Sequence, residues 1–439
     1  ITNLAGITIA DGSGGTASNY TLTGGTHNFT TNQRPLNATL ARQYDGTSNA
    51  AGSDLSSFDA LQGGESLTLS GSSSAVNDNV ANGISVSSLG TLALINGTGL
   101  ASNYSLNSAV INITQRVLSS SGSKAYDANT NALAADITLS NLVSGETLNH
   151  SGTASISSAN AASYTITNLA GITLADNAGL ASNYTLTGGT HNFTVNPKVI
   201  SLSGSRLYDA TTDAVASDLT TISGLVGSET LNLSGTGSVT NANVASNKTV
   251  TLGTLALADN SGLAANYTLS GGTHQLTINQ RPLAATVARQ YDGTKTAAGS
   301  DLSSFDALQG GETLTLSGSG TVGDENVANG QGITLGTLAL VDGTGLASNY
   351  SLNSASLNIT ERVLNSSGSK TYDANTNALA GAITLSNLVS GEALNHSGTA
   401  TISSANAGSY TITNLAGITI ADGSGGTASN YTLTGGTHN

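Results

Sequence analysis

Residues 198–280 read KVISLSGSRLYDATTDAVASDLTTISGLVGSETLNLSGTGSVTNANVASNKTVTLGTLALADNSGLAANYTLSGGTHQLTINQ, and their pattern indicates the fold. Apolar residues alternate with polar ones over short runs, and no helical period is sustained, so each run is typical of a half-buried β-strand. Gly271-Gly272 lies between the last two runs and predicts a tight hairpin. The predicted strands lie at 199–202, 231–233, 250–257, 267–269 and 276–278.

This stretch is one copy of a repeat of about 82 residues, and a fixed period of this size indicates a modular array. Residues 1–28 and 412–439 are identical, so we expect the chain to be a segment of a longer array that begins and ends inside a module. A Tyr-Asp pair marks each copy. The five pairs are Tyr44-Asp45, Tyr126-Asp127, Tyr208-Asp209, Tyr291-Asp292 and Tyr372-Asp373.

Module boundaries are predicted where the last strand of one copy runs into the first strand of the next. The predicted division is a C-terminal part of a module at 1–33, complete modules at 34–115, 116–197, 198–280 and 281–361, and an incomplete module at 362–439. Six or seven short strands per module predict an all-β, sandwich-like fold, and short junctions predict an elongated rod. A parallel β-helix is the structural alternative, but no shorter period of about 20 residues is visible.

Composition limits the classes of function. The chain has 439 residues, a formal net charge of -14 and no Cys. Disulfides, thiolate metal sites and cysteine nucleophiles are therefore excluded, and the negative charge disfavours binding to nucleic acid. No apolar run reaches the length of a membrane span. No recurring catalytic motif is present, so we expect that the chain is not an enzyme and needs no cofactor.

Basic residues follow the repeat at two places. One base lies at each junction: Arg34, Arg116, Lys198, Arg281 and Arg362. A second lies two residues before each Tyr-Asp pair: Arg42, Lys124, Arg206, Arg289 and Lys370. We expect these bases to form ion pairs or hydrogen bonds that clamp adjacent modules, with the repeated Glu (Glu65, Glu146, Glu229, Glu312 and Glu392) as a candidate partner. A binding site repeated along the rod is the alternative.

The Tyr-Asp pairs and the Asp-led turns before each Asn-Tyr pair suggest structural roles. Ala replaces the Gly that follows Tyr-Asp at Ala128, Ala210 and Ala374, so we expect no positive φ there and an Asp that accepts backbone N–H groups. The tyrosines are expected in the core or at interfaces, with stacking on sugars as an alternative. Each Asp-led turn supplies one carboxylate, so calcium is possible but not favoured. The six His residues suggest tolerated substitutions rather than metal ligands.

Four motifs follow one another in module 281–361: Arg289-Gln290-Tyr291-Asp292-Gly293, Gly311-Glu312-Thr313-Leu314, Asn326-Val327-Ala328 and Asn349-Tyr350-Ser351-Leu352. Their order and spacing resemble the YDG repeats of filamentous-haemagglutinin-like exoproteins of Gram-negative bacteria. The resemblance implies two-partner secretion to the cell surface or beyond it, β-rich modules, and roles in adhesion, biofilm matrix or extracellular filaments.

Taken together, the sequence predicts the structural stalk or fibre region of a large surface adhesin. Its predicted partners are neighbouring modules of the same chain and further copies in fibres. The alternatives are weak carbohydrate-binding modules that act on host or matrix glycans through multivalency, and a calcium-stiffened rod.

Overall fold

The computed structural model describes every residue from Ile1 to Asn439. The chain is all-β, with short 3₁₀ turns and no α-helix, which confirms the predicted fold class. It divides into two compact units, Ile1–Pro197 and Lys198–Asn439. The structure contains no helix with the length and apolar character that a membrane crossing requires.

Module 34–115 shows how the repeat folds. Its strands are β1 Arg34–Gln43, β2 Asn49–Ala51, β3 Leu55–Phe58, β4 Leu67–Ser70, β5 Ser72–Ser74, β6 Ala81–Ser85, β7 Ala93–Asn96 and β8 Tyr104–Thr114. A four-stranded sheet has the order β3-β1-β8-β6, and the two-stranded pairs β2-β5 and β4-β7 lie against it. The 3₁₀ turns Gly52–Asp54 and Ala101–Asn103 precede β3 and β8.

The first and last strands of the module pair in parallel. The register runs from Arg34 opposite Tyr104 to Gln43 opposite Thr114. Because both strands point the same way, the chain enters the module at one end of this pair and leaves at the other. At about 3.3 Å per residue, ten paired residues separate entry from exit by roughly 33 Å.

The core lies between the four-stranded sheet and the smaller pairs. Leu40 on β1 and Ile111 on β8 are fully buried and pack with Ala50 and Leu69 from the facing strands. Alternation along β1 places every second side chain in this core, as the period of a strand requires. The same cluster includes Tyr184 of the next module, so the apolar core continues across the module boundary.

The other modules repeat this arrangement with small differences. Module 116–197 has strands Arg116–Val117, Ser119–Ala125, Asn131–Leu133, Ile137–Ser140, Asn149–Ile156, Ala162–Asn168, Ile172–Ala175, Tyr184–Thr185 and His191–Asn196. Module 198–280 has Lys198–Val199, Ser201–Leu207, Asp213–Val215, Thr221–Ser223, Leu231–Ser234, Thr236–Ser238, Ala245–Thr249, Ala256–Asp259, Tyr267–Thr268 and His274–Asn279. Their 3₁₀ turns are Ala134–Asp136, Ala181–Asn183, Ala216–Asp218 and Ala264–Asn266.

The last two modules follow the same plan. Module 281–361 has strands Arg281–Gln290, Thr296–Ala298, Leu302–Phe305, Leu314–Ser317, Ser319–Thr321, Ala328–Gly332, Ala339–Asp342 and Tyr350–Thr360. Segment 362–439 has Arg362–Val363, Asn365–Gly368, Asn377–Leu379, Ile383–Ser386, Asn395–Ile402, Ile412–Asn414, Ile418–Ala421 and Tyr431–Thr432. Their 3₁₀ turns are Gly299–Asp301, Ala347–Asn349, Ala380–Ala382 and Ala428–Asn430.

The hairpin predicted at Gly271-Gly272 is wrong. Tyr267–Thr268 pairs in parallel with Lys198–Val199, and His274–Asn279 pairs in parallel with the next strand, Ser201–Leu207, so the chain does not reverse between them. The two glycines instead lie in the interruption between two consecutive strands. Gly271 has φ +85°, and a Cβ on Gly272 would lie 2.0 Å from the carbonyl oxygen of Ile200, so each position requires glycine for its own reason.

The single strand predicted at 250–257 is also wrong. Ala245–Thr249 and Ala256–Asp259 are separate strands, and the chain turns between them. Gly253 lies in this turn with φ +54°, and the amide of Leu255 donates to the carbonyl of Leu252 at 2.8 Å. Alternation of apolar residues alone did not reveal this turn.

The two identical stretches of sequence fold differently. Residues 412–439 form strands that pair with Asn395–Ile402 and Arg362–Val363, and Tyr431 is 3% exposed. Residues 1–28 form only the 3₁₀ turn Ala17–Asn19, and the equivalent Tyr20 is 70% exposed.

Candidate functional site: a repeated junction between modules

Each Tyr-Asp pair begins a turn that is held by the base two residues before it. In module 34–115, Arg42 forms an ion pair with Asp45 and donates to the carbonyl of Thr47 at 2.5 Å. One oxygen of Asp45 accepts both the amide and the hydroxyl of Thr47 at 2.9 Å. Burial would raise the pKa of Asp45, but the bonds from Thr47 and the charge of Arg42 outweigh it and lower the pKa. The prediction that this Asp accepts backbone N–H groups is confirmed.

The residue after Tyr-Asp lies in the left-handed region whether it is glycine or alanine. Gly46 and Gly293 have φ +73°, while Ala128, Ala210 and Ala374 have φ of 63°, 62° and 56°. The expectation that alanine marks a position without positive φ is wrong. The hydrogen bonds around the Asp hold alanine in a conformation that costs about 1 kcal/mol relative to glycine.

The identity of the base before each Tyr-Asp pair correlates with the identity of the residue two positions after the Asp. Arg42 is matched by Thr47, whereas Lys124 is matched by Asn129. The ammonium of Lys124 reaches the backbone oxygen and Oδ1 of Asn129 at 2.9 and 2.8 Å, so the amide side chain supplies an extra acceptor to the shorter base. The same pairs recur as Arg206 with Thr211, Arg289 with Thr294, and Lys370 with Asn375.

The second set of bases does not pair with the repeated Glu, so that part of the prediction is wrong. Each base forms an ion pair with the Asp of its own Tyr-Asp motif. The five ion pairs are Arg42–Asp45, Lys124–Asp127, Arg206–Asp209, Arg289–Asp292 and Lys370–Asp373.

The repeated Glu instead binds two tyrosines from different modules. Oε1 of Glu146 accepts the hydroxyl of Tyr44 at 2.5 Å, and Oε2 accepts the hydroxyl of Tyr184 at 2.6 Å. Tyr44 is 102 residues away in the preceding module, whereas Tyr184 belongs to the same module as Glu146. The two rings meet edge to face with centroids 5.5 Å apart. Both tyrosines are buried, as the sequence predicts for residues in the core or at an interface.

Two further polar clamps surround this pair. The guanidinium of Arg116 donates to the carbonyl of Tyr44 at 3.3 Å and to the carbonyl of Asn141 at 2.6 Å. Oδ1 of Asn183 accepts the amide of Val80 at 2.9 Å, and its Nδ2 donates to Oδ1 of Asn79 at 2.8 Å. The prediction that junction bases clamp modules by hydrogen bonds is confirmed for Arg116.

The electrostatics of the junction keep both tyrosines protonated. Burial, together with the hydrogen bond to Glu146, raises the pKa of Tyr184 to about 12. The pKa of Tyr44 is raised further for the same two reasons, in the same order. A neutral hydroxyl donating to a carboxylate is a charge-assisted bond, which is stronger than a neutral one. The three side chains therefore form one satisfied network between two modules.

The same junction occurs twice in the unit Lys198–Asn439. Glu312 accepts Tyr208 and Tyr350 at 2.5 and 2.7 Å, and Glu392 accepts Tyr291 and Tyr431 at 2.7 and 2.6 Å. The ring centroids are 5.2 and 5.4 Å apart. The guanidinium groups repeat their contacts: Arg281 donates to the carbonyl of Tyr208, and Arg362 donates to the carbonyl of Tyr291. The asparagines do the same: Asn349 bonds to Val244 and Asn243, and Asn430 bonds to Val327 and Asn326.

The remaining signature residues lie in equivalent places within their modules. Tyr126 is buried, and Tyr372 is exposed at the surface of segment 362–439. Arg34 donates to the carbonyl of Ala60 at 2.8 Å, and Lys198 begins a short strand that pairs with Tyr267–Thr268.

Sequence reasoning missed the role of the asparagines. The Asn-Tyr pairs mark the repeat, but the sequence does not indicate that Asn183, Asn349 and Asn430 contact the preceding module. Asn183, Asn266, Asn349 and Asn430 are at most 1% exposed. The sequence does contain a signal for this role, because an Asn recurs beside a core tyrosine in every repeat. A buried amide needs hydrogen-bond partners, so such an Asn indicates a polar contact within the core or at an interface.

The Asp-led turns hold the backbone. Oδ1 of Asp176 accepts the amide of Ala181 at 2.7 Å and so caps the 3₁₀ turn Ala181–Asn183. Asn96 does the same for Ala101 at 2.7 Å, which explains why Asn can replace Asp there. No group of three or more His, Asp or Glu side chains is arranged to hold a metal ion.

The histidines that follow Gly-Gly-Thr stabilise the strand interruption by hydrogen bonds. Nε2 of His191 lies 2.8 Å from the carbonyl oxygen of Leu186, and Nδ1 lies 2.9 Å from the hydroxyl of Ser120. Both ring nitrogens are thus engaged in a buried site, so His191 has a specific structural role rather than being a tolerated substitution.

Comparison with known proteins identifies the repeat. The family model of the YDG domain matches residues 32–112, 112–192, 190–276, 274–358 and 356–438. No curated protein matches the chain. A crystal structure of Drosophila N-cadherin EC1-4 is aligned over 75% of this chain and 99% of its own, at 9% identity and a TM-score of 0.12, which is too low to bear on the fold.

Proposed function

Because the chain belongs to the YDG domain family and repeats one buried junction between its modules, we propose that it is the stalk or extracellular fibre region of a large secreted adhesin of a Gram-negative bacterium. In this proposal the protein is filamentous-haemagglutinin-like, leaves the cell by two-partner secretion and acts in adhesion or in a biofilm matrix. Its modules set length and spacing, and the chain has no enzymatic activity.

The observation that carries the proposal is the Tyr–Glu–Tyr junction. It is built identically at Glu146, Glu312 and Glu392, and each copy joins two modules through charge-assisted hydrogen bonds. A flexible chain of beads has no need of a buried, polar and fully paired network at these three boundaries. A stalk does, because fixed orientation at every boundary is what transmits length.

Short connections between modules support the same conclusion. β8 ends at Thr114 and the next strand begins at Arg116, so a single residue separates them. Thr360 and Arg362 are related in the same way. A linker of one residue gives neighbouring modules little freedom to reorient, in contrast to the Gly/Ser-rich linkers of flexible arrays.

The two alternative functions are less consistent with the contacts. A lectin needs exposed aromatic faces, but Tyr44 and Tyr184 are buried and donate to Glu146. A calcium-stiffened rod needs free carboxylate oxygens in the Asp-led turns, but Oδ1 of Asp176 already accepts a backbone amide. The tyrosines and acids of the three junctions are engaged with one another.

The proposal is tested by small-angle scattering from the full chain. We expect a rod whose maximum dimension corresponds to about 35 Å per module and does not change on addition of calcium or chelator. Replacing the three junction acids together (Glu146→Ala, Glu312→Ala and Glu392→Ala) should convert it into a flexible chain with a broad distance distribution. Glu361→Ala, at an exposed position beside a junction, is the matched control.

Four results would contradict the proposal. A compact wild-type particle would exclude a stalk, and unchanged scattering from the triple variant would show that the junctions do not set the orientation of modules. A particle that extends only with calcium would favour the metal-stiffened rod. Glycan-array binding that survives mutation of the junction acids would favour the lectin.

A further inference from the structure

The first and last strands of module 281–361 form a parallel pair at the centre of its sheet. All ten residues of Arg281–Gln290 have a partner in Tyr350–Thr360. Leu302–Phe305 pairs with the outer side of the first strand and Ala328–Gly332 with the outer side of the last, so both strands are held from two sides. The parallel pair of first and last strands is named the terminal pair of its module.

Tension on the chain loads the terminal pair in shear. The chain enters the module at Arg281 and leaves it after Thr360, and these two residues lie at opposite ends of the terminal pair. A pull on both ends of the module therefore draws the two strands along their length in opposite directions. Because the hydrogen bonds of a parallel ladder are evenly spaced along the strands, this pull loads them together rather than one after another.

The core protects the terminal pair against stepwise slipping. Val287 and Leu357 lie opposite each other in the pair, and both are fully buried. Leu283 and Ile359, at further core positions of the two strands, are 1% exposed. A shift of one residue between the strands would set buried side chains against exposed ones, because side chains alternate with a period of two. Slipping therefore disrupts the core and the hydrogen bonds at once.

The junction with the next module holds the end of the terminal pair. The amide of Tyr291 extends the ladder by donating to the carbonyl of Thr360 at 2.9 Å. The hydroxyl of Tyr291 donates to Glu392 at 2.7 Å, and its carbonyl accepts from Arg362 at 3.3 Å. The first strand cannot slide towards its N-terminus without breaking all three contacts. The following module thus adds to the resistance of the terminal pair.

The other complete modules share this geometry. In module 34–115 the terminal pair is β1 with β8, and the amide of Tyr44 extends it by donating to the carbonyl of Thr114 at 2.9 Å. In modules 116–197 and 198–280 the strand interruption divides the terminal pair into two parts, and both parts are parallel. The chain therefore enters and leaves every complete module at opposite ends of a parallel pair.

We propose that each complete module bears tension, because a pull on the chain loads its terminal pair in shear. In modules 34–115, 198–280 and 281–361 the Tyr–Glu bond of the junction secures the far end of the pair. The inference goes beyond the proposed function, since a stalk or fibre can set length and spacing without resisting force.

The test is single-molecule force spectroscopy of the full chain, pulled between two introduced cysteines. The chain has no Cys of its own, so the attachment points are unambiguous. Gln280→Cys with Glu361→Cys places the pull at the two ends of module 281–361 and loads its terminal pair in shear. Gln280→Cys with Asn353→Cys pulls the same two strands apart from the end where the chain enters, so the bonds break in succession. All three positions are exposed.

The direction of pulling should decide the rupture force, which reports the barrier to unfolding under load. Because the bonds of the ladder share the load only in shear, the shear variant should rupture at a force at least about twofold higher than the other variant. Its rupture should lengthen the chain by roughly 250 Å, the extended length between the two cysteines less their separation in the folded module. This gain shows in each trace that the module was folded.

A substitution at the junction separates the contribution of the neighbouring module. Tyr291→Phe deletes the bond to Glu392 and should lower the rupture force in shear. It should leave the rupture force of the other variant unchanged, because Tyr291 lies at the far end from the pull. Val341→Ala changes an exposed residue of the same module outside the terminal pair and should change neither force.

Two results would overturn the inference. Equal rupture forces in the two directions would show that the terminal pair does not bear the load, and an unchanged shear force for Tyr291→Phe would show that the junction does not secure it. Scattering from the wild type decides the stalk proposal independently, because the terminal pair acts within one module.

Discussion

Removing one hydroxyl from a junction should uncouple two modules while leaving their cores in place. Tyr44→Phe keeps the ring, and therefore the edge-to-face contact with Tyr184 at 5.5 Å, but deletes the bond to Glu146. A hydrogen bond to a charged group contributes about 1.5–3 kcal/mol. Glu146 keeps its bond from Tyr184, so we place the loss of coupling between modules 34–115 and 116–197 within this range.

Native-state hydrogen exchange read by mass spectrometry measures this loss where it occurs. Global unfolding of an array with several modules is not two-state, so a single unfolding free energy would mix several transitions. Exchange at 143–146 and 44–47 reports opening of the junction itself. A loss of 1.5–3 kcal/mol corresponds to exchange that is about 10- to 150-fold faster at these amides.

The control and the refuting outcome are both specific. Tyr20→Phe changes a tyrosine that is exposed in the same unit and should leave exchange at both segments unchanged. If Tyr44→Phe alters exchange at 143–146 by less than twofold, the bond to Glu146 does not couple the modules. Equal acceleration throughout module 34–115 would mean instead that Tyr44 stabilises its own module rather than the boundary.

Three further predictions follow from the same contacts. The pKa of Tyr184 is raised from about 10 in the unfolded chain to about 12, so its contribution to stability should be fully present below pH 10 and should disappear as the pH rises through 12. Urea titrations at stepped pH measure this, and a constant midpoint up to pH 12 would contradict it. Ala210→Gly removes a side chain from a position with φ 62° and should stabilise module 198–280 by about 1 kcal/mol, whereas Ala256→Gly in a strand should destabilise it by about 0.5–1 kcal/mol. Calorimetry should show shifts of the melting temperature with opposite sign, and shifts of the same sign would exclude strain at Ala210. Gly189→Ala places a Cβ 1.8 Å from the carbonyl oxygen of Leu118 and should destabilise module 116–197 by more than about 2 kcal/mol. An unchanged melting temperature would show that the strand interruption is not tightly packed.

Much of the fold could be predicted because its signals are local. The period of about 82 residues, the short alternating strands and the placement of tyrosines in the core all follow from residues close together in sequence. The ion pair of Arg42 with Asp45 was missed in spite of its short separation. The repeat offered a Glu and an Asp in every module as acceptors, and spacing does not distinguish between them.

Backbone conformation escaped sequence reasoning where the surroundings override residue preference. Alanine normally avoids positive φ, yet Ala128 adopts it because the Asp-centred hydrogen bonds fix the turn. Gly271-Gly272 is typical of a hairpin, but the flanking segments pair in parallel with two consecutive strands at the start of the module. Strand pairing between the two ends of a module decided that outcome, and no local pattern encodes it.

A tandem all-β array with one kind of module is predictable from the sequence, because periodicity and alternation are properties of neighbouring residues. The bonds by which Glu146 joins Tyr44 of one module to Tyr184 of the next depend on the folded structure. Every module carries the same tyrosines and the same Glu, so the sequence permits many pairings. The parallel first and last strands place the Tyr-Asp turn at the exit of each module, and there it can reach only the Glu of its successor.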